Sequence, residues 1–308
     1  MLDAVWAIHI HLSFTATGGR LLVLAAALSV TAGFRASRIR RGALIAEYFA
    51  LTMAATTAIC VLSYLCIASA GPLVDSRLMA MDRALGFDWL AGYRFVHAHP
   101  QLSAMLELAY DSLIVQGLYF CLLHGLMDCK QRLRDMFWLF LACGALACLG
   151  ALLFPALGPS KFYNIATDTS FVAVAEHLLS GRDLSFSLSQ MAGVISFPSF
   201  HTSMALAYAW AFRKTGIIGA AVVGLNLVML CAVPFFGGHY LVDMVAGAAT
   251  MLVSLALVRT APGFWRLWSR GERGAIAIAI AQRLAVRPSK TTAASASPES
   301  AARSADAY

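Results

Sequence analysis

Long runs of apolar residues dominate this sequence of 308 residues. Hydrophobic residues make up 60% of the chain and charged residues only 13%, whereas a soluble domain carries about 25% charged residues. A helix that spans a bilayer needs about 20 mainly apolar residues. The sequence therefore predicts an all-α fold, a polytopic transmembrane helical bundle, in an integral membrane protein.

Seven stretches are apolar enough to form spans. Their approximate bounds are 8–34, 43–71, 101–127, 136–155, 201–213 with its flanks, 216–236 and 239–259. The fifth stretch is short, so we expect its helix to begin inside the loop that ends at His201.

Polar residues in and near these stretches give two further expectations. Trp89 and Tyr93 lie in the mixed segment 72–100, and we expect them at the level of the lipid headgroups. Glu107 and Asp111 lie four residues apart in the third span and share a helix face. Because charged groups inside a span avoid lipid, we expect this pair to contact polar or basic groups of the protein.

Basic residues are distributed unevenly among the gaps between the apolar stretches. Seventeen Lys and Arg residues lie in alternate gaps or after Val258, and five lie in the opposite gaps. This is the pattern of cytoplasmic loops, so the N-terminus is predicted outside and the C-terminus inside. The net charge of +7 therefore reflects orientation in the bilayer and predicts no nucleic-acid partner. The seven cysteines show no disulfide or metal spacing.

Composition divides the chain into four predicted parts. Residues 1–42 hold an extra N-terminal transmembrane helix and a basic loop, and residues 43–260 form the catalytic transmembrane core. Residues 261–286 are expected to be a cytoplasmic interfacial segment. Residues 287–308 are rich in Ala, Ser, Thr and Pro and are expected to be a disordered tail.

Two histidine motifs flank one apolar hairpin. His201 ends the sequence Phe-Pro-Ser-Phe-His, and His239 begins the sequence His-Tyr-Leu-Val-Asp that ends at Asp243. Two crossings of the membrane return both histidines to the same, outer face. His239 and Asp243 are four residues apart, so the carboxylate can fix the imidazole tautomer and leave the other ring nitrogen nucleophilic. His201 then suits the role of general acid.

Groups near these motifs suit a phosphate. Lys161 supplies a cation, Ser199 supplies a hydroxyl, and the helix that starts at Phe200 supplies N–H groups at its N-terminus. Gly238 allows the backbone to approach a phosphate closely. The candidate catalytic residues are His201, His239 and Asp243. The candidate substrate-binding residues are Lys161, Ser199, Phe200 and Gly238.

These motifs resemble those of the membrane-bound phosphatidic acid phosphatase type 2 superfamily. Pro198–His201 is similar to the second family motif, Pro-Ser-Gly-His, with Phe in place of Gly. His239 and Asp243 match the His and Asp of the third motif, Ser-Arg-x5-His-x3-Asp. Ala232 and Val233 stand where its Ser-Arg pair would fall, so that pair is absent.

The remaining family pattern is also altered. The first motif, Lys-x6-Arg-Pro, is not intact, and Lys161 stands where its basic residue would act. Loss of the Ser-Arg pair with retained His and Asp resembles the branch of the fungal inositol phosphorylceramide synthases. The resemblance covers roughly residues 45–258. It implies a six-helix core, here with one extra N-terminal helix, and chemistry that needs no metal or other cofactor.

The resemblance also implies a mechanism and a substrate class. His239 would become a phosphohistidine, and His201 would act first as an acid and then as a base. The substrate would be a lipid phosphate or phospholipid in the bilayer, with a small alcohol or water as acceptor. Two alternatives stay open: plain dephosphorylation of a lipid or polyisoprenyl phosphate, and a non-catalytic transporter or lipid-binding protein. The Ala-rich, loop-poor composition suggests a bacterial inner membrane, with the site on the non-cytoplasmic side.

Overall fold

The described chain is almost entirely helical. A computed structural model describes residues 13–15, 19–165, 170–181, 185–187 and 193–260. Its helices are α1 (Gly19–Ala36), α2 (Arg40–Ala68), α3 (Asp75–Ala84), α4 (Trp89–His97), α5 (Pro100–Leu126), α6 (Lys130–Leu153), α7 (Pro159–Phe162), α8 (Ser170–Ser180), α9 (Phe200–Phe212), α10 (Gly216–Phe236) and α11 (Leu241–Thr260). Two short strands, β1 (Ser13–Thr15) and β2 (Ser185–Ser187), pair in parallel.

Five of the described helices are long and apolar enough to cross a membrane, namely α2, α5, α6, α10 and α11. This confirms the predicted all-α transmembrane fold class. The first and fifth predicted spans are shorter, because α1 has 18 residues and α9 has 13. Helix α9 begins at Phe200, inside the loop where the short fifth stretch was expected to begin.

The described residues up to Arg259 belong to one compact unit. The predicted interfacial segment 261–286 and the predicted tail 287–308 lie outside the described residues. The boundary between an extra N-terminal helix and a catalytic core at residue 42 stays a prediction.

The largest apolar core lies between α2, α5, α6, α9 and α11. Its buried side chains include Tyr48, Phe120, Leu139, Met204 and Met251. One polar contact joins α5 to α10 inside the bundle: the Asn226 amide nitrogen donates to Gln116 Oε1 at 2.6 Å. Because buried amides need hydrogen-bond partners, this pair holds the two helices in one register.

The short helix α4 corrects the prediction for Trp89. The Trp89 side chain is fully buried, and its Nε1 donates to the carbonyl oxygen of Pro234 at 2.7 Å. Its ring stacks between Tyr93 and Tyr163, with centroids 4.9 and 5.9 Å away. Since its one polar atom is satisfied inside the protein, Trp89 is a core residue rather than a headgroup anchor.

The surroundings of Glu107 and Asp111 also differ from those that the sequence predicted. Both side chains are exposed on α5, on the same face as Leu108 and Ile114, which are 74% and 83% exposed. Neither acid forms an ion pair with any residue that the structure describes. The expectation of a pairing inside the bundle was therefore wrong.

Candidate active site

His239 and Asp243 lie side by side where α11 begins. His239 Nδ1 is 3.5 Å from Asp243 Oδ2, and the two side chains are 4% and 0% exposed. This separation exceeds a hydrogen bond of about 2.7–3.2 Å, and Nδ1 has no hydrogen-bond partner among the described residues. The carboxylate therefore acts on the imidazole through a close electrostatic contact in a buried setting.

Local hydrogen bonds fix the position of Asp243. Its Oδ2 accepts the backbone N–H of Tyr240 at 2.9 Å, and its backbone oxygen accepts the N–H of Ser199 at 3.0 Å. The first bond orients the carboxylate toward the loop that carries His239. The second joins α11 to the loop before α9, so the two histidine motifs are held together.

Ser199 is the N-cap of α9. Its Oγ accepts the backbone N–H of Thr202 at 3.3 Å and the Thr202 hydroxyl at 3.2 Å, and the side chain is fully buried. Serine is a preferred N-cap because its oxygen satisfies a free N–H of the first turn. Ser203 adds a bond from its hydroxyl to the carbonyl oxygen of Gly247 at 2.8 Å. These bonds place the first turn of α9 against α11.

His201 lies in that first turn and packs against Tyr110 of α5. The two rings stack with centroids 4.2 Å apart, and the Tyr110 hydroxyl is 3.3 Å from His201 Nδ1. Because Nδ1 is engaged by Tyr110, the other ring nitrogen, Nε2, is left for chemistry. Tyr110, on which His201 stacks, and His239 both lie close to Gly237. The structure thus brings His201, His239 and Asp243 into one site.

Two glycines allow a close backbone contact beside His239. Gly158 and Gly238 have φ angles of +91° and +60°, which favour glycine. A Cβ on Gly158 would collide with the carbonyl oxygen of Gly238. The backbones of Gly158 and Gly238 are therefore in close contact, and the predicted approach of Gly238 to a phosphate stays a prediction.

Asp75 holds this contact in place and was missed by sequence reasoning. Its Oδ1 accepts the N–H of Gly158 at 2.8 Å and the hydroxyl of Tyr240 at 3.0 Å, and both carboxylate oxygens accept the N–H of Leu157 at 3.1 Å. Burial, reinforced by the charge of Asp75, raises the pKa of the Tyr240 phenol. Tyr240 is therefore a neutral donor that fixes the loop around His239 to α3.

Asp82 is a second acid that sequence reasoning missed. Its two carboxylate oxygens accept the N–H groups of Leu241 and Val242 at 2.8 and 3.0 Å, so it caps the start of α11. Burial raises the pKa of the Asp82 carboxyl, and the bonds from these two N–H groups oppose that shift. No local signal links this residue to α11, because about 160 positions separate them in the chain.

Lys161 and Phe200, two of the candidate substrate-binding residues, contact other side chains of the protein. Lys161 Nζ pairs with Glu176 Oε1 at 2.5 Å, and both side chains are close to half exposed. The Phe200 ring packs edge-on against Phe140 in the bundle core, with centroids 5.7 Å apart. Roles of Lys161, Ser199, Phe200 and Gly238 in phosphate binding stay predictions. Among the described residues, no group of His, Cys, Asp and Glu has an arrangement that could hold a metal ion.

The fold and the site define a helical membrane protein with two histidines close to a buried carboxylate, an arrangement suited to nucleophilic group transfer. A family model described as the PAP2 superfamily matches residues 76–257, which is more than half of the chain. The chain therefore belongs to the PAP2 superfamily, whose members are generally phosphoric ester hydrolases. No curated protein and no solved structure matches it. The predicted superfamily is confirmed, and the narrower resemblance to inositol phosphorylceramide synthases stays a prediction.

Proposed function

We propose that the protein is an integral membrane enzyme that transfers a phosphoryl group or phospho-headgroup from a lipid through His239. The observation that carries this proposal is the buried contact of His239 with Asp243, 3.5 Å apart, close to the Tyr110 ring on which His201 stacks. A carboxylate beside an imidazole stabilises the positive charge that develops when the ring nitrogen bonds to phosphorus. Membership of the PAP2 superfamily supports a phosphatase or phosphotransferase of lipid phosphates.

The proposed reaction has two steps, formation of a phosphohistidine and transfer of its phosphoryl group to the acceptor. In the first, the free ring nitrogen of His239 attacks phosphorus and the ester P–O bond breaks. The bonding pair leaves with the lipid oxygen, which takes a proton from His201. In the second, His201 takes a proton from the acceptor hydroxyl, whose oxygen attacks phosphorus. The P–N bond then breaks and its electron pair returns to His239.

Groups at the mouth of the site would bind the phosphate oxygens. The first N–H groups of α9 carry partial positive charge and suit an anion. Lys161 would contribute a full charge after release from Glu176, with which it pairs at 2.5 Å. The family arginine is replaced by Val233, so we propose that the helix terminus takes a larger share of phosphate binding here.

The altered motif favours transfer to an organic acceptor. His239 and Asp243 are retained while Ala232 and Val233 replace the Ser-Arg pair, a combination that resembles the inositol phosphorylceramide synthases. We therefore favour headgroup transfer of the inositol phosphorylceramide synthase type. Plain hydrolysis of a lipid or polyisoprenyl phosphate is the second candidate, and the general activity of the superfamily supports it. We place the site on the non-cytoplasmic side of a bacterial inner membrane, on the basis of the distribution of basic residues and the composition of the chain.

Product analysis distinguishes these functions. Purified protein is given mixed membrane lipids in water alone and then with inositol or glycerol, and products are identified by mass spectrometry. A new headgroup lipid that requires His239 supports transfer, and free phosphate in equal amounts in every mixture supports the phosphatase. His239→Ala is the inactive variant, and His99→Ala, at an exposed position on the chain, is the matched control. Absence of both products across a broad lipid panel, from folded protein, would leave the transporter or lipid-binding alternative.

A further inference from the structure

A cavity lies where α1, α2 and α6 meet. Its volume is about 320 Å³, and its lining includes Arg35, Arg38, Arg40, Lys130, Glu47 and Leu44. Helix α6 starts at Lys130 and reaches the histidine site near its other end, where Gly150 packs against Pro198. Since each helical residue advances 1.5 Å, a 24-residue helix spans about 36 Å. The cavity is therefore remote from the candidate active site.

The cavity carries an excess of positive charge. Arg35 pairs with Glu47 at 2.7 Å, and Arg40 pairs with Asp128 at 3.0 Å. Arg38 and Lys130 form no ion pair with the residues that the structure describes. The Glu47 carboxylate is neutralised by Arg35, so the two remaining cations set the charge that a ligand would meet.

Backbone groups reinforce this charge. Helices α2 and α6 begin at Arg40 and Lys130, both in the cavity lining, and their N-caps form no side-chain capping hydrogen bond. The free N–H groups of a helix N-terminus attract anions. Arg38 has a φ of 58° because it ends α1 in the left-handed conformation, and the N–H of Ile39 that follows donates to the carbonyl oxygen of Phe34 at 2.8 Å.

We propose that this cavity binds the phosphate of an anionic phospholipid at the end of the bundle opposite the histidines. Cationic pockets between membrane helices suit lipid headgroups of this charge. A lipid is favoured over a free anion because Phe34 and Leu44 also line the cavity. Helix α1, whose C-terminal end lines the cavity, exposes apolar side chains along its length, including Leu22 at 70% and Leu28 at 55%, and these offer a surface for an acyl chain.

Lipid binding by charge-matched variants tests this proposal. Full-length protein in detergent is titrated with phosphatidylglycerol or phosphatidylcholine, and retained lipid is measured by native mass spectrometry. We expect preference for phosphatidylglycerol, and about a tenfold loss of that affinity in the variant Arg38→Gln with Lys130→Gln. The control is Arg41→Gln with Arg134→Gln, which removes the same charge from neighbouring exposed positions outside the cavity lining. In this control variant we expect the affinity for phosphatidylglycerol to change by less than about twofold.

Three outcomes would overturn the proposal. Equal losses in the two double variants would show general surface attraction, and equal binding of both lipids would show no headgroup preference. Displacement of phosphatidylglycerol by millimolar inorganic phosphate would show a free-anion site. If the cavity double variant does not fold, the single variants Lys130→Gln and Arg134→Gln make the same comparison.

Discussion

Asp243 Oδ2 lies 3.5 Å from His239 Nδ1 and accepts the N–H of Tyr240 at 2.9 Å. The carboxylate is thus held by the backbone and presented to the imidazole. This relationship is the basis of the proposed chemistry, because a fixed negative charge favours the positively charged imidazole of the phosphohistidine state.

Replacing Asp243 by Asn removes this charge while keeping an oxygen that can accept from Tyr240. We expect the kcat for lipid phosphate turnover to fall by roughly 100- to 10,000-fold, as when a carboxylate that orients a catalytic histidine is removed. Asp111→Asn, an exposed acid on α5, is the control and should keep its kcat. Normal turnover by folded Asp243→Asn would contradict the assigned role.

Tyr110 positions His201 through its hydroxyl, 3.3 Å from Nδ1, while its ring stacks on the imidazole. Tyr110→Phe keeps the stacking and removes the hydroxyl. We expect kcat to fall about tenfold with little change in KM, and the pH profile of kcat to shift, because the partner of an acid-base group is lost. The control is Tyr119→Phe on the same helix, whose ring stacks on Phe212. Equal effects of both changes would indicate a general packing role.

Asp82 caps α11 through the N–H groups of Leu241 and Val242. Asp82→Ala leaves the buried N–H of Val242 and the partly buried N–H of Leu241 without partners, so we expect the free energy of unfolding to fall by about 2–3 kcal/mol. Asp88 offers a matched comparison, because it caps α4 at an exposed position through Ala91 N–H at 3.0 Å. Asp88→Ala should cost about 0.5–1 kcal/mol. Thermal unfolding in detergent measures both, and a smaller loss for Asp82→Ala would contradict this account.

Gly158 and Gly86 both have positive φ angles, +91° and +76°. A Cβ on Gly158 would collide with Gly238, whereas a Cβ on Gly86 would meet no atom within 4 Å. Gly86→Ala should therefore cost only backbone strain, about 1 kcal/mol. Gly158→Ala should also displace the loop that carries His239 and lower turnover. Comparable activity of the two variants would mean that the close contact does not position the site.

Local sequence patterns predicted much of this molecule. Apolar runs predicted the five long helices, because a lipid-spanning segment must be both apolar and internally hydrogen-bonded. The spacing of four residues predicted the contact of His239 with Asp243, although α11 begins only at Leu241. Such patterns are predictive where the interactions that they reflect form between residues within a few helical turns of one another.

Contacts between distant segments were not predictable in this way. Asp75 and Tyr240 are 165 positions apart, and Asp82 caps a helix about 160 positions later. Trp89 was expected at the headgroups because indole suits an interface, and the acceptor that allows its burial, Pro234, lies 145 positions away. These relationships depend on how the helices pack, which hydrophobic periodicity does not specify.

Direct detection of phosphate on His239 is the sharpest test of whether the reaction passes through a phosphohistidine at this residue. Protein turning over a lipid whose phosphate carries heavy oxygen is quenched in alkali, where phosphohistidine survives, and is digested for mass spectrometry. We expect label on His239 in the wild type and none in His239→Ala, and we expect the His201→Ala enzyme to show no turnover. Continued turnover with the label on another residue, or turnover by His239→Ala, would contradict this mechanism.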